Sequence, residues 1–146
     1  MYLSFYNLKE FPFATTCDER FFYESTVHAE ALANMLYTVQ HRKGMVLVTG
    51  EVGAGKTFVG GVLAARLAHN ATVIALKSPP QSGKQLLRSL ANRLGLNVAL
   101  SADKLCLVDQ LEQHLLRLHA RGRMVALILD EAQDLSPTCL EEIRLL

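Results

Sequence analysis

The sequence is short of three things: a charge excess of either sign, cysteine, and long apolar runs. Net charge is +1, with six basic and six acidic residues up to Val73 and nine and eight after it. That balance offers no basic field to nucleic acid and no acidic tail of the solvating kind. The three cysteines, Cys17, Cys106 and Cys139, are odd in number, widely spaced and form no CxxC pair. They fit structural thiols in a reduced, cytoplasmic setting. The N-terminus lacks a basic segment leading into an apolar core, which excludes a signal peptide. The longest apolar runs fall far below the ~18 residues that span a bilayer, so a soluble protein without a membrane segment is expected.

What is present is an ordinary globular composition, half hydrophobic and one fifth charged, in 146 residues. That length suits one domain with a sizeable core. The chain is organised around Gly50–Thr57, GEVGAGKT, which fits the pattern Gly, four residues, Gly-Lys, then Ser or Thr. Before it, Met45 to Thr49 is a short apolar, β-branched run that predicts a buried strand. After it, Phe58 to Ala68 has helical spacing, with Val59, Val62, Leu63 and Leu67 on one face. The helix contains Gly60-Gly61, each ~1 kcal/mol worse than alanine in a helix interior. Strand, glycine loop and helix together make an anion trap, where loop N–H groups and the helix N-terminus converge on a phosphate.

The remaining segments alternate. Residues 1–24 form an aromatic arm, holding eight of the ten aromatic residues around Pro12. Two readings of it stay open: rings that anchor the arm on the domain, and a cover over the adenine of a bound nucleotide. Ser25 or Thr26 caps a helix to about Arg42, with Leu32, Met35, Leu36 and Val39 inward and Gly44 as its stop. Thr72 to Leu76 predicts a second strand. Ser82 caps a helix with Leu86, Leu87, Leu90 and Leu94 inward, closed by Gly95-Leu96 in a Schellman ending. Ser101 is expected to cap the next, with Leu105, Val108, Leu111, Leu115 and Leu118 as its stripe and Arg121-Gly122 at its end. Met124 to Leu129 predicts a third buried strand, and Ser136-Pro137 opens a last helix. Strands alternating with helices predict a parallel, helix-covered α/β sheet in one domain, residues 25–146 being its core.

The chemistry lies at two strand ends. Gly50, Gly53 and Gly55 permit the backbone angles and close approach the loop needs. Lys56 places an ammonium on the β- and γ-phosphates, and Thr57 offers its hydroxyl to Mg²⁺. The nucleotide-binding set is Gly50, Glu51, Val52, Gly53, Ala54, Gly55, Lys56, Thr57 and Phe58. Asp130-Glu131 ends the third strand, where ligands gather in open α/β sheets. Asp130 is expected to hold Mg²⁺ through water, since Mg²⁺ dehydrates reluctantly. Glu131 is expected to orient or deprotonate the attacking water, so Glu131 and Lys56 are the candidate catalytic pair. A solvated acidic pair at a strand end is the plainer alternative. Two carboxylates, one lysine and one Mg²⁺ favour hydrolysis of ATP over passive binding.

With both motifs in place, the chain resembles the additional-strand, catalytic-glutamate branch of P-loop NTPases. Within it the match is to the AAA+ ATPase domain of the ExeA-type, general secretion pathway protein A family. Transposition helper ATPases and origin-recognition-complex-like AAA+ domains are neighbours. The carriers are FYNLKEFPF, RFFYESTVHAEAL, TGEVGAGKT and LILDEAQDLSPTCLEEIRLL. The resemblance implies a three-layer αβα fold, ATP and Mg²⁺ as cofactors, a homo-oligomer in the full-length protein, and a DNA, secretion or transposition partner. It implies that the arm lies near the adenine. It sets His28 in the family's SPSHREAL slot, here STVHAEAL, where a surface histidine and a nucleotide contact both stay open.

The departure from the family comes after Asp130-Glu131. A sensor strand, an arginine finger and a helical lid are implied there, and none lies within these 146 residues. The sensor strand belongs between the phosphate-loop strand and the strand bearing Asp130, so a gap in the sheet or a non-family pairing is expected. The chain is expected to be a partial AAA+ domain or fragment that binds Mg-ATP weakly. An arginine finger is worth ~10³–10⁵ in rate, so very slow turnover is expected. Rival readings are a non-hydrolysing nucleotide module, an inactive fragment of such an ATPase, a DNA helicase suggested by DEAQ, and a small-molecule P-loop kinase.

Overall fold

The computed structural model describes residues 2–11 and 18–146. They fall into two compact units, residues 1–66 and 67–146.

The first unit opens with a single helical turn, α1 (Tyr2–Phe5). The arm's described rings mostly face solvent, Phe5 at 81% and Tyr6 at 66% exposure, instead of anchoring the segment in a core. They pair with each other: Tyr2 meets Phe11 and Phe5 meets Tyr6, both edge-on, at 5.9 and 4.9 Å between centroids. Pro12, Phe13 and Cys17 lie outside the described residues. Past them, Arg20 binds Asp18 at 2.6 Å and Glu10 at 3.0 Å. The hydrogen-bonded Arg20 guanidinium holds the Asp18 carboxyl below the usual carboxylate range.

Helix α2 (Thr26–Gln40) starts where expected, because the Ser25 hydroxyl accepts from the His28 N–H at 3.3 Å. Leu32 and Met35 are buried on it. Its stop differs from expectation. Arg42 takes a left-handed turn (φ 50°) two residues before Gly44, which is left-handed as well (φ 88°). Lys43 N–H closes on Thr38 O at 2.9 Å and Arg42 N–H on Val39 O at 3.2 Å, a Schellman ending built on a non-glycine residue.

The expected buried strand at Met45 to Thr49 does not form. These residues are irregular, with Met45 82% and Leu47 76% exposed. Among the described residues the sheet has two strands, and neither is this one. An apolar β-branched run records what a segment gains by burial. It becomes a strand only where a neighbour takes up its N–H and C=O groups. The non-family pairing is not formed either. Helix α3 (Lys56–Leu67) follows, with Val59, Val62, Leu63 and Leu67 buried as the spacing predicts.

In the second unit, β1 (Ala71–Leu76) and β2 (Met124–Leu129) pair in parallel, from Ala71 opposite Met124 to Leu76 opposite Leu129. Parallel neighbours need a long crossover. Here it carries α4 (Gly83–Arg93) and α5 (Lys104–Ala120). Ile74 and Leu76 share one face with Val125, Leu127 and Leu129 across the register. That face packs with Leu86, Leu87 and Leu90 of α4 and Leu107 and Leu111 of α5 into the unit's core.

Two expectations for α5 are corrected. Its cap is Asp103, whose carboxylate accepts from Cys106 N–H at 2.8 Å, and not Ser101. Of its expected stripe Leu111 is buried and Val108 packs against the core, but Leu105 is 69% exposed and Leu107 is buried instead. Leu105 and Leu116, both exposed, fall on the far side of this helix from Leu107 and Leu111. The other ends follow the sequence. Ser82 caps α4, and Gly95 and Gly122 (φ 75° and 72°) close α4 and α5 with Leu96 N–H on Ala91 O and Arg123 N–H on Leu118 O, each 2.9 Å. Ser136 caps α6 (Pro137–Leu145), with proline in its first turn. Cys106 and Cys139 are free thiols. No helix among the described residues is long and apolar enough to cross a membrane.

Three helices meet around Glu142, which is only 6% exposed. Its carboxylate pairs with Lys104 of α5 and lies at the first turn of α4, where the positive end of the helix dipole favours it. A Cβ on Gly83 would fall 2.7 Å from Glu142 Cγ and 3.2 Å from Thr138 O. Gly83→Ala should therefore destabilise the chain by ~1–3 kcal/mol through overpacking. That exceeds the gain of up to ~1 kcal/mol that alanine brings over glycine in a helix. Urea unfolding reads the balance, and a variant as stable as the parent would contradict it.

Candidate functional site: a phosphate loop and an acidic strand end

The residues expected to bind nucleotide, Gly50 to Phe58, fall together in the first unit, and Asp130-Glu131 in the second. Within the loop, Gly53 and Gly55 take left-handed angles (φ 81° and 83°). A turn closes it where Ala54 N–H reaches Glu51 O at 3.2 Å. Helix α3 begins at Lys56, so the positive end of its dipole faces the loop. The Lys56 ammonium folds back and donates to Gly50 O and Glu51 O, both at 2.8 Å. Two of its three protons are thereby fixed and the cation is held over the loop. Val52 forms the fully exposed tip, and Thr57 stands exposed on the first turn of α3. Left-handed glycines, a helix N-terminus and an anchored ammonium suit a phosphate chain, and the Thr57 hydroxyl is the hard oxygen donor that Mg²⁺ prefers.

A residue outside the loop, left open between two roles by the sequence, supports it. His28, in the first turn of α2, sets Nε2 3.0 Å from Ala54 O. A carbonyl only accepts, so Nε2 carries the hydrogen. The same nitrogen would lie 3.2 Å from a Cβ on Gly55. His28 is thus neither a bare surface histidine nor shown against a nucleotide: it touches the loop backbone. Phe22 lies beside it (6.2 Å between centroids) and stacks on Phe58 (5.9 Å, 21° between planes). The Arg66 guanidinium sits 6.0 Å over Phe22 and binds Glu19 at 2.9 Å. No local sequence signal links residue 28 to residue 54; only the STVHAEAL resemblance drew attention to it.

At the end of β2, Asp130 N–H extends the ladder by bonding Leu76 O at 3.0 Å. The Asp130 carboxylate accepts from Glu131 N–H at 3.1 Å. Glu131 takes a left-handed backbone (φ 52°, ψ 41°), an uncommon conformation for a residue with a Cβ. Its carboxylate accepts from Gln133 Nε2 at 2.6 Å, a partner that sequence reading did not single out. Strand end, left-handed residue and the 3₁₀ turn Ala132–Asp134 hold the two carboxylates at the sheet's C-terminal edge.

A family model described as an AAA domain matches residues 39–146, a span that contains both motifs. The chain belongs to the AAA domain family. Over 146 residues this AAA domain is 36% identical to General secretion pathway protein A of Aeromonas hydrophila. The alignment covers all of this chain and 27% of that protein, so the chain spans about a quarter of the length of the curated relative it matches. No solved structure matches significantly. As an AAA domain the chain has the P-loop NTPase α/β fold and is a nucleotide-binding module of the ATPase type.

Alanine at Gly53 and at Gly55 separates two constraints on the AAA domain's loop. At Gly53 a Cβ meets nothing within 4 Å, so Gly53→Ala should cost only the left-handed strain of ~1–2 kcal/mol. Gly55→Ala adds the contact with His28 and should unfold at a lower denaturant concentration. Equal midpoints would count against a close fit between His28 and the loop.

Proposed function

We propose that the chain binds Mg-ATP and hydrolyses its γ-phosphate, as the nucleotide-binding part of a larger motor. The observation that carries this reading is the Lys56 ammonium anchored on Gly50 O and Glu51 O inside a glycine loop that opens a helix. Membership of the AAA family supports it, as does the Asp130-Glu131 pair at a strand end.

In this reading the backbone of Gly50 to Phe58 binds the phosphate chain and Lys56 neutralises charge on the β- and γ-oxygens. Thr57 and Asp130 hold Mg²⁺, the aspartate through water. When bound, Mg²⁺ supplies charge stabilisation to the transferring phosphoryl group. Glu131 orients the attacking water and takes up its proton. Assembly into a homo-oligomer, and service to a secretion, transposition or DNA-associated partner, extend the proposal by resemblance to the family.

A non-hydrolysing nucleotide module is the second reading. The Gln133 amide favours it, because it takes up one Glu131 carboxylate oxygen at 2.6 Å and leaves one fewer acceptor for a water. Titration with a fluorescent ATP analogue, with and without Mg²⁺, tests binding. Lys56→Ala should weaken it by at least ~10-fold, the loss of a charge-assisted contact. A phosphate-release assay tests chemistry. Glu131→Gln should keep nucleotide binding and abolish what turnover there is. Equal phosphate release by Glu131→Gln and the parent would remove Glu131 from the mechanism. Binding with no release by the parent would favour the second reading.

A further inference from the structure

We infer that His28 is a positioning residue for the phosphate loop: by holding the Ala54 carbonyl, its imidazole aims the Gly55 N–H at the bound phosphate chain. The inference rests on the phosphate-binding reading above. Its geometry is set by the peptide unit. The described residues contain no cis bond, so the carbonyl of residue 54 and the N–H of residue 55 point in opposite directions from one plane. With Ala54 O fixed 3.0 Å from His28 Nε2, the Gly55 N–H is turned away from α2. It finds no acceptor among the described residues, whereas Gly55 O is used by Val59 N–H at 2.9 Å. An N–H held in place without an acceptor, one residue before the loop lysine, is a donor prepared for an anion.

The peptide could otherwise flip. Gly55 sits at φ 83° and has no side chain to bar rotation about its neighbouring bonds. A flip would present the Ala54 carbonyl where the N–H now stands, and oxygen would then oppose oxygen. His28 prevents this from a firm base. Its own N–H is capped by Ser25 Oγ at 3.3 Å, and Phe22, stacked on Phe58, lies against its ring. The first turns of α2 and α3 are thereby held together around the 54–55 peptide. Glycine at 55 is needed twice, for its backbone angle and for the 3.2 Å approach of Nε2.

The test uses the full 146-residue chain, labelled with ¹⁵N. The neutral His28 ring is expected to carry its hydrogen on Nε2. His28→Ala should shift the Gly55 amide resonance and weaken ATP binding about fivefold to tenfold, the value of one hydrogen bond. Its unfolding midpoint should stay near that of Val27→Ala, a change at an exposed neighbour. His28→Gln, whose amide can donate to the same carbonyl, should restore both the resonance and most of the affinity. Should His28→Ala not fold, His28→Asn, one methylene shorter than glutamine, takes its place in the comparison. An unmoved Gly55 resonance, or equal affinity loss in the glutamine and alanine variants, would overturn the inference. Failure of the parent chain to bind ATP would overturn the nucleotide reading instead, and the Gly55 resonance would still decide the role of His28.

Discussion

The parallel pairing of Ala71–Leu76 with Met124–Leu129 is the constraint on which the second unit depends. Two strands running the same way cannot be joined by a tight turn, so the chain must leave β1, travel back and re-enter. Helices α4 and α5 are that return path, and their leucines fill one face of the ladder. The register also fixes where the chemistry emerges. Leu76 and Leu129 are opposite each other at the last rung, and the Asp130 N–H adds one more bond to Leu76 O before the chain turns away. The two carboxylates follow directly from where the ladder ends.

The first unit solves a different problem. Its loop has little side-chain mass to pack, so its shape is carried by backbone angles and by groups that grip carbonyls. Lys56 grips Gly50 O and Glu51 O from within the loop, and His28 grips Ala54 O from α2. An ammonium and an imidazole N–H, both donors, thus take up three oxygens that would repel a phosphate. A loop for anions works as much by restraining its acceptors as by presenting its donors.

What the sequence revealed was what local rules decide. Ser25, Ser82 and Ser136-Pro137 were legible as helix starts because a cap is a contact between residues three apart. Gly95 and Gly122 were legible as stops because few residues tolerate the left-handed turn. Arg42 takes that turn first without announcing it, while Gly44, two positions on and left-handed too, drew the expectation. Asp103 displaced Ser101 because two capping residues stood close together, and only the folded backbone shows which reaches an N–H. The loop Gly50–Thr57 and the pair Asp130-Glu131 were readable as motifs. Their supports were not: His28 lies far from Ala54 in sequence, and the left-handed backbone at Glu131 leaves no mark on composition. The run Met45 to Thr49 shows the limit most clearly, since apolarity declares a wish for burial and says nothing of the partner that would grant it.

Gly83 and Glu142 belong to different helices, yet they occupy one shared volume. In evolutionary terms they are a single unit of variation with a preferred order of change. A side chain introduced first at position 83 meets a buried glutamate and a backbone carbonyl. Shortening position 142 first opens room and strands only Lys104, which is more than half exposed and can turn to water. Lineages that acquire a side chain at 83 should therefore have passed through a smaller residue at 142. The two positions should vary together across descendants, although neither takes part in the chemistry.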